Sequence, residues 1–343
     1  MIALYPTDLK SMTMEDLDAW LSVIQVPAYR AKQIKDWLDK GVTSIDEMAN
    51  LPATLKEQLK KQFYIPNIKI EKKLVSDSDY TVKYLYRLCD GLNIESVLMR
   101  YKHGWSQCLS TQVGCKMGCG FCATGLDGFE RNLKASEMIA QIETAQSDHN
   151  IRVSSIVLMG MGEPLDNFDN VLRFLQMLSE PGGVHIGMRH VSISTCGLVD
   201  KIYRLMDYKL QLTLSVSLHA PNDAIRSQLM PVNRKWPVAD LLKACGDYAS
   251  ATGRRVSFEY AMIDGVNDSD DCARELASRI KNLLCHVNLI PLNSVPEYRQ
   301  RRSTDLRLRS FMGILGKAGI NVTMRRTLGA DINASCGQLR RGN

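Results

Sequence analysis

The 343-residue chain has no apolar run near the roughly 18 residues that a membrane-spanning helix needs. Its start, MIALYPTDLKSM, has no basic segment followed by a long apolar stretch. A secretory leader is therefore not expected, and the protein is read as cytoplasmic. Internal repeats and low-complexity tracts are absent, which excludes a solenoid or a long flexible linker. No G-x-G-x-x-G follows the first expected strand, so a Rossmann-type domain is not indicated. One further absence is more specific. The stretch GCKMGCGFCATG carries Cys115, Cys119 and Cys122, and no fourth cysteine follows within the next ten residues. A structural zinc site wants four ligands, and disulfides want an even count.

What is present is an ordinary globular balance, 45% hydrophobic and 23% charged. The net charge of +6 permits a polyanionic partner without requiring one. Ten cysteines in a reducing compartment point to thiols, metal ligands or catalytic groups rather than structural disulfides.

Residues up to about Tyr64 read as helical. Thr13 can cap a helix, with Asp16 three residues on and Leu17, Trp20, Leu21 and Ile24 forming an apolar stripe. A second helix is expected to stop at Gly41, and a third to start after Pro52. Arg30, Lys32, Lys35, Lys60 and Lys61 make either a solvated face or one that meets RNA. Residues 67–104 are rich in β-formers, with a turn at Cys89-Asp90-Gly91, and read as short antiparallel strands. From Trp105 onward, strands expected at 106–112, 155–159, 191–194, 212–218, 256–263 and 286–290 alternate with helices expected at 136–146, 168–178, 238–250 and 271–284. That alternation argues for parallel βα units. INVTMRR adds a late strand, and the tail TLGADINASCGQLRRGN has no periodicity and reads as a loop.

The unusual residues fall just after the expected strands, where a parallel βα barrel carries its active site. Three thiolates on a tight loop can hold three irons of a 4Fe–4S cluster and leave the fourth open. Gly114, Gly118 and Gly120 would let the backbone wrap closely, and Phe121 would exclude water. A zinc site with a distant ligand such as His103 is the alternative.

The loop resembles that of the radical S-adenosylmethionine superfamily. Taken with GMGEPLDN, SISTCG, SLHAPND, EYAMIDGVND, HVNLIPLN and DINASCGQL, the chain resembles the RlmN/Cfr family of adenine methyltransferases over nearly its whole length. The resemblance implies an α/β fold. A partial (β/α)6 radical-SAM barrel at 105–326 would carry a helical RNA-binding module at 1–66, an antiparallel β extension at 67–104 and a functional C-terminal loop at 327–343. It implies a 4Fe–4S cluster on Cys115, Cys119 and Cys122, and two S-adenosylmethionine molecules per turnover. Gly162, Glu163, Ser194, Ser217, Leu218, His219 and Asn293 would bind the latter, with Glu163 accepting from the methionyl ammonium and Ser194 and Asn293 serving the ribose or carboxylate.

In the family an aromatic carbon of adenine that is not a useful nucleophile is methylated by radical chemistry. The resemblance assigns the methyl carrier to Cys336, its resolution through a transient disulfide to Cys108, and removal of the substrate proton to Glu95. Cys89, Cys196, Cys245, Cys272 and Cys285 match no role and read as structural. The implied substrate is adenosine 2503 of 23S rRNA, with adenosine 37 of tRNA as a further target of some members. Pro164 leans toward carbon 2 rather than the carbon 8 of the Cfr branch. An electron donor such as flavodoxin or ferredoxin and a monomeric state are expected, with no membrane partner. The basic segments at 299–302, 307–309, 325–326 and 340–341 suit RNA phosphates. The competing classes are a small-molecule radical enzyme, an activase for a protein radical, and a zinc-containing RNA-binding module without chemistry.

Overall fold

The computed structural model describes residues 7–180 and 183–341. Thr13 closes a capping box with Asp16 at the start of α1 (Met14–Val23), which buries Leu17 and Leu21. Helix α2 (Tyr29–Asp39) buries Ala31, Ile34 and Leu38, and α3 (Ala53–Gln62) buries Leu55 and Leu59. These side chains share a small core of their own, separate from the main one. The two-residue strands β1 (Thr7–Asp8) and β2 (Phe63–Tyr64) pair in parallel and bring the ends of this module together. Polar contacts tie it to the rest. Ser136 donates through Oγ to Asp8 at 2.5 Å, Lys10 meets Glu143 at 2.6 Å, and Arg173 Nε donates to the Ser11 carbonyl at 2.7 Å. Lys32, Lys60 and Lys61 are exposed.

The principal sheet is ten-stranded and open. Three antiparallel strands, β3 (Lys69–Val75), β4 (Val82–Arg87) and β5 (Asn93–Tyr101), lead into β6 (Gly104–Cys108). From β6 the sheet turns parallel through β9 (Val153–Leu158), β10 (Val191–Thr195), β11 (Thr213–Ser217), β12 (Val256–Met262), β13 (Cys285–Pro291) and β14 (Val322–Met324), after a separate small hairpin of β7 (Gln112–Gly114) and β8 (Phe129–Asn132). Helices α4 (Ala135–His149), α5 (Phe168–Met177), α6 (Val199–Asp207), α7 (Asp223–Leu229), α8 (Val238–Thr252), α9 (Asp270–Ile280) and α10 (Asp305–Lys317) fill the crossovers. Among the described residues six βα units result, and β14 ends the sheet without pairing back to its far edge. The sheet is therefore a partial barrel. Strands covered on both faces bury nearly every residue, as in VSFEYAM of β12.

The first expected parallel strand, 106–112, is broken. It stops at Cys108: Leu109 N still donates to β9, at Val157 O (2.9 Å), but Thr111 N turns to Met161 O, beyond the end of β9, at 2.8 Å. The chain then enters the β7–β8 hairpin, which the sequence pattern did not reveal. Helix α9 ends at Ile280, short of the expected 284, and helices α6, α7 and α10 were not foreseen. INVTMRR does form an edge strand, β14.

Candidate active site

The β7–β8 hairpin closes the base of the cysteine loop. Gly114 has φ +76° there, and a Cβ on it would lie 1.9 Å from the Gly128 carbonyl oxygen. Cys115 N donates to that same oxygen at 2.9 Å. Other elements pin the loop further along. Gly120 N donates to Leu229 O at 2.9 Å, Gln300 Nε2 donates to Gly120 O at 3.0 Å, and Ala123 N donates to Gly337 O at 2.7 Å. Held this way, Cys115, Cys119 and Cys122 all line one cavity, an open space of about 940 Å³ at the C-terminal ends of the parallel strands. Burial pushes all three thiols up, Cys115 to about 12. Left without metal they stay protonated at neutral pH, and bound iron would reverse that.

The cavity gathers most of the residues expected to bind S-adenosylmethionine: Gly162, Glu163, Ser194, Ser217, His219 and Asn293. Glu163 is buried, with Oε1 accepting from Leu165 N at 3.0 Å and Oε2 from Cys196 N at 2.7 Å. Burial raises its pKa, and those two amides pull it back. His219 takes the left-handed backbone conformation, φ 56°, and its Nδ1 accepts from Ala261 N at 2.9 Å. Burial lowers its pKa to about 3, so the ring is neutral and carries its proton on Nε2. Phe121 packs edge-on against it, with centroids 4.9 Å apart.

Leu218 is not part of this lining. It is fully buried, and its main chain joins the Glu259 carbonyl and the Arg226 side chain. The need for glycine at 162 also has a protein-side cause. Its φ is +98°, and a Cβ would come within 2.5 Å of the Gln112 side chain.

The tail is a strap across the mouth. Gln338 Nε2 donates to Ser294 O at 2.8 Å, Thr124 Oγ1 to Leu339 O at 2.6 Å, and Lys83 Nζ to Asn333 O at 3.2 Å. Arg341 ion-pairs with Glu130 at 2.6 Å and Arg340 with Glu297 at 2.5 Å. Cys336 thereby lines the main cavity. It also lines a smaller adjoining one together with Cys108, and Met159, Ile290, Asn293 and Arg325 belong to both. Asn293 here serves the tail, donating through Nδ2 to the Cys336 carbonyl at 3.0 Å. Both cysteines are free thiols. Burial, and then the sulfur of Cys336, push Cys108 up to about 12, with Arg325 opposing.

Glu95 stands apart. It borders neither of these cavities, and faces a third cleft with Lys83, Glu297 and Arg340. Lys83 Nζ meets its Oε1 at 2.8 Å and the Arg340 amide donates to Oε2 at 2.9 Å. Burial still leaves its pKa raised.

Two residues read otherwise in the sequence also belong to the site. Arg325, expected among the phosphate-binding arginines, is turned inward from the end of β14. It lies 3.7 Å from Glu259, and both line the main cavity. Cys196, expected to be structural, lines it as well. The cue for Arg325 lay in its place right after an edge strand, where a side chain can face the barrel mouth.

Residues 7–65 match the N-terminal domain of ribosomal RNA large subunit methyltransferases, and residues 109–277 match the radical SAM superfamily. The chain is 51% identical over 334 residues to a probable dual-specificity RNA methyltransferase RlmN of Alkaliphilus oremlandii, covering 97% of each protein. It is 46% identical to the corresponding protein of Clostridium tetani, over 97% of this chain and 96% of that one. The chain belongs to the RlmN family. A crystal structure of a radical SAM methyltransferase from Sphaerobacter thermophilus superposes with a TM-score of 0.89 at 44% identity, over 98% of this chain and 100% of that one.

As a member of the RlmN family, the protein is a radical S-adenosylmethionine RNA methyltransferase that uses a 4Fe–4S cluster and S-adenosylmethionine. The donor set fits the cluster. Three cysteines face one cavity, and space for a cosubstrate lies beside them. His103, the alternative zinc ligand, stacks on Tyr101 instead. Among the described residues no helix is long and apolar enough to cross a membrane.

Proposed function

We propose that the protein methylates carbon 2 of adenosine 2503 in 23S rRNA, and adenosine 37 of tRNAs, with Cys336 as methyl carrier and Cys108 as the group that releases the product. The observation that carries this reading is the sharing of one connected cavity system by Cys336, Cys108 and the three loop cysteines. When bound, the cluster and S-adenosylmethionine supply the methyl group and the radical chemistry that a non-nucleophilic aromatic carbon requires.

The chain's own residues do the rest. Cys336 holds the transferred carbon on its sulfur, and the Asn293 contact fixes the backbone beside it. Once that carbon is joined to the adenine, and the adduct has lost its ring proton and one electron, which the cluster would take up, the Cys108 sulfur attacks the Cys336 sulfur. The old sulfur–carbon bond breaks toward the base, a proton completes the methyl group, and a Cys108–Cys336 disulfide is left for a thiol reductant to open. Glu95 takes the proton from the substituted ring carbon. Because the Arg340 amide and Lys83 hold its carboxylate outside the cavity, this role requires the tail to yield as RNA enters. Gly162, Glu163, Ser194, Ser217 and His219 would surround S-adenosylmethionine. The helical module and the exposed Arg299, Arg301, Arg302, Arg307, Arg309 and Arg326 would meet RNA phosphates. The target base would be extruded into the mouth. A flavodoxin or ferredoxin would deliver electrons to a monomeric enzyme in the cytoplasm.

The carbon-8 alternative is less favoured, since the relatives carry the RlmN name and Pro164 lines the cavity. Mass spectrometry of adenosines from rRNA and tRNA after anaerobic reaction tests the reading, with Cys336→Ala alongside. 2-Methyladenosine that vanishes in the variant is expected. 8-Methyladenosine, or no methylated base despite cleaved S-adenosylmethionine, would overturn it.

A further inference from the structure

Arg226 is the largest fully buried side chain of the described residues, with no exposed surface. Its guanidinium is well bonded but not neutralised. Nε donates to Leu218 O at 3.1 Å, Nη1 to Asn233 Oδ1 at 3.0 Å, and Nη2 to Cys196 O at 2.6 Å and Ser217 O at 3.0 Å. All four partners are neutral oxygens. The carboxylate in this network, Asp223, is reached only through Asn233, whose Nδ2 donates to it at 2.9 Å. A buried guanidinium without an adjacent anion is costly, and removing such a charge from water is tolerated when an anion completes the site.

The surroundings show where that anion belongs. Arg226 sits on α7, one turn before Leu229, whose carbonyl receives the Gly120 amide of the cysteine loop. Two of its carbonyl partners, on Cys196 and Ser217, belong to residues that line the cavity. His219, next to its third carbonyl partner on Leu218, touches Phe121 of the cysteine loop. Burial lowers the guanidinium's pKa. A 4Fe–4S cluster with three thiolate ligands is anionic and gains a further negative charge on reduction.

We propose that Arg226 is a positioning residue for the redox chemistry: a fixed buried cation behind the cysteine loop whose counter-charge is the cluster and its thiolates, and which raises the cluster's reduction potential. Net charge around an iron–sulfur cluster is one of the determinants of its potential. The cation stabilises the reduced state more than the oxidised one, and so eases electron delivery by the donor. The hydrogen bonds to Ser217, Leu218 and Cys196 make the same side chain the brace that joins the ends of β10 and β11. The inference rests on the cluster being held by Cys115, Cys119 and Cys122.

The test is an anaerobic redox titration of the reconstituted holoenzyme, following the reduced cluster by electron paramagnetic resonance. Wild type, Arg226→Lys, Arg226→Gln and Asn233→Asp would be compared. Arg226→Gln is expected to lower the midpoint potential by about 59 mV, a tenfold change in the ratio of reduced to oxidised cluster at fixed potential. Arg226→Lys should stay near wild type, because it keeps the charge and loses the hydrogen bonds. Asn233→Asp keeps the arginine and sets a carboxylate against it, so it should lower the potential in the same direction. It carries the test if Arg226→Gln does not fold. Equal shifts in the Lys and Gln variants would assign Arg226 a structural role only and overturn the proposal, as would an unchanged potential in both Arg226→Gln and Asn233→Asp. A wild-type protein that binds no iron would sink the cluster assignment itself, and this inference with it.

Discussion

Asn293 holds Cys336 by the backbone: its Nδ2 donates to the Cys336 carbonyl at 3.0 Å, joining the loop after β13 to the tail. A neutral hydrogen bond of this kind contributes about 1 kcal/mol. Its effect on a carrier thiol is larger than that figure suggests, because placement governs rate. Asn293→Ala is expected to lower methylation several-fold while S-adenosylmethionine is still cleaved. The ratio of methyladenosine to 5′-deoxyadenosine, measured in one reaction, checks this.

Cys108 and Cys336 share a cavity. Without the resolving thiol, the carbon joining Cys336 to the base has no route off the protein. Cys108→Ala should therefore accumulate RNA attached covalently to protein, seen as a slow band on a denaturing gel. Adding Cys336→Ala should abolish that band.

Lys83 and Glu95 form a buried pair at 2.8 Å. Removing one partner strands the other charge, which typically costs about 3–5 kcal/mol. Lys83→Met should destabilise the apoprotein by about 3 kcal/mol in urea unfolding, and Lys83→Met combined with Glu95→Leu should recover part of that loss.

Gly114 cannot carry a side chain without displacing Gly128. Gly114→Ala should open the β7–β8 hairpin and release the cysteine loop. The expected result is a protein with near-native circular dichroism and iron content reduced by more than half after reconstitution.

His219 is held neutral, with a pKa lowered by burial from 6.5 to about 3. The unfolded chain binds the proton first on acidification. Its contribution to stability is fully present above pH 6.5 and is lost as pH falls toward 3, by up to about 1.4 kcal/mol per pH unit. His219→Asn should flatten the acid side of the apoprotein's stability profile between those limits, as read by urea unfolding at successive pH values.

Much of the site was legible in the order of the residues. The three cysteines of GCKMGCGFC stood out by their spacing on a tight loop, whereas the glycine and acid of GMGEP and the cysteine of ASCGQL were singled out by the family resemblance, and all of them line one cavity. Other features had no local signature. Glu95 alternates on β5 like any half-buried strand residue, and only the folded tail shows that it is paired with Lys83 outside the cavity. Arg325 reads as one of two surface arginines, yet β14 turns it against Glu259, 66 positions earlier in the chain. Nothing near SLHAPNDAIRSQ marked Arg226 as fully buried.

By itself the sequence determined the alternation of strands and helices, the capping of α1 by Thr13 and the grouping of three thiols on one loop. Hydrophobic period, turn chemistry and short spacing act over a few residues, and are therefore written in the chain's order. Only the tertiary structure decided that the tail straps the mouth, that Asn293 grips Cys336, and that the buried Arg226 guanidinium is held by the Cys196 carbonyl. Each of these depends on charges and backbone groups that are tens to hundreds of residues apart meeting in a space from which water is excluded, and no local pattern encodes such a meeting.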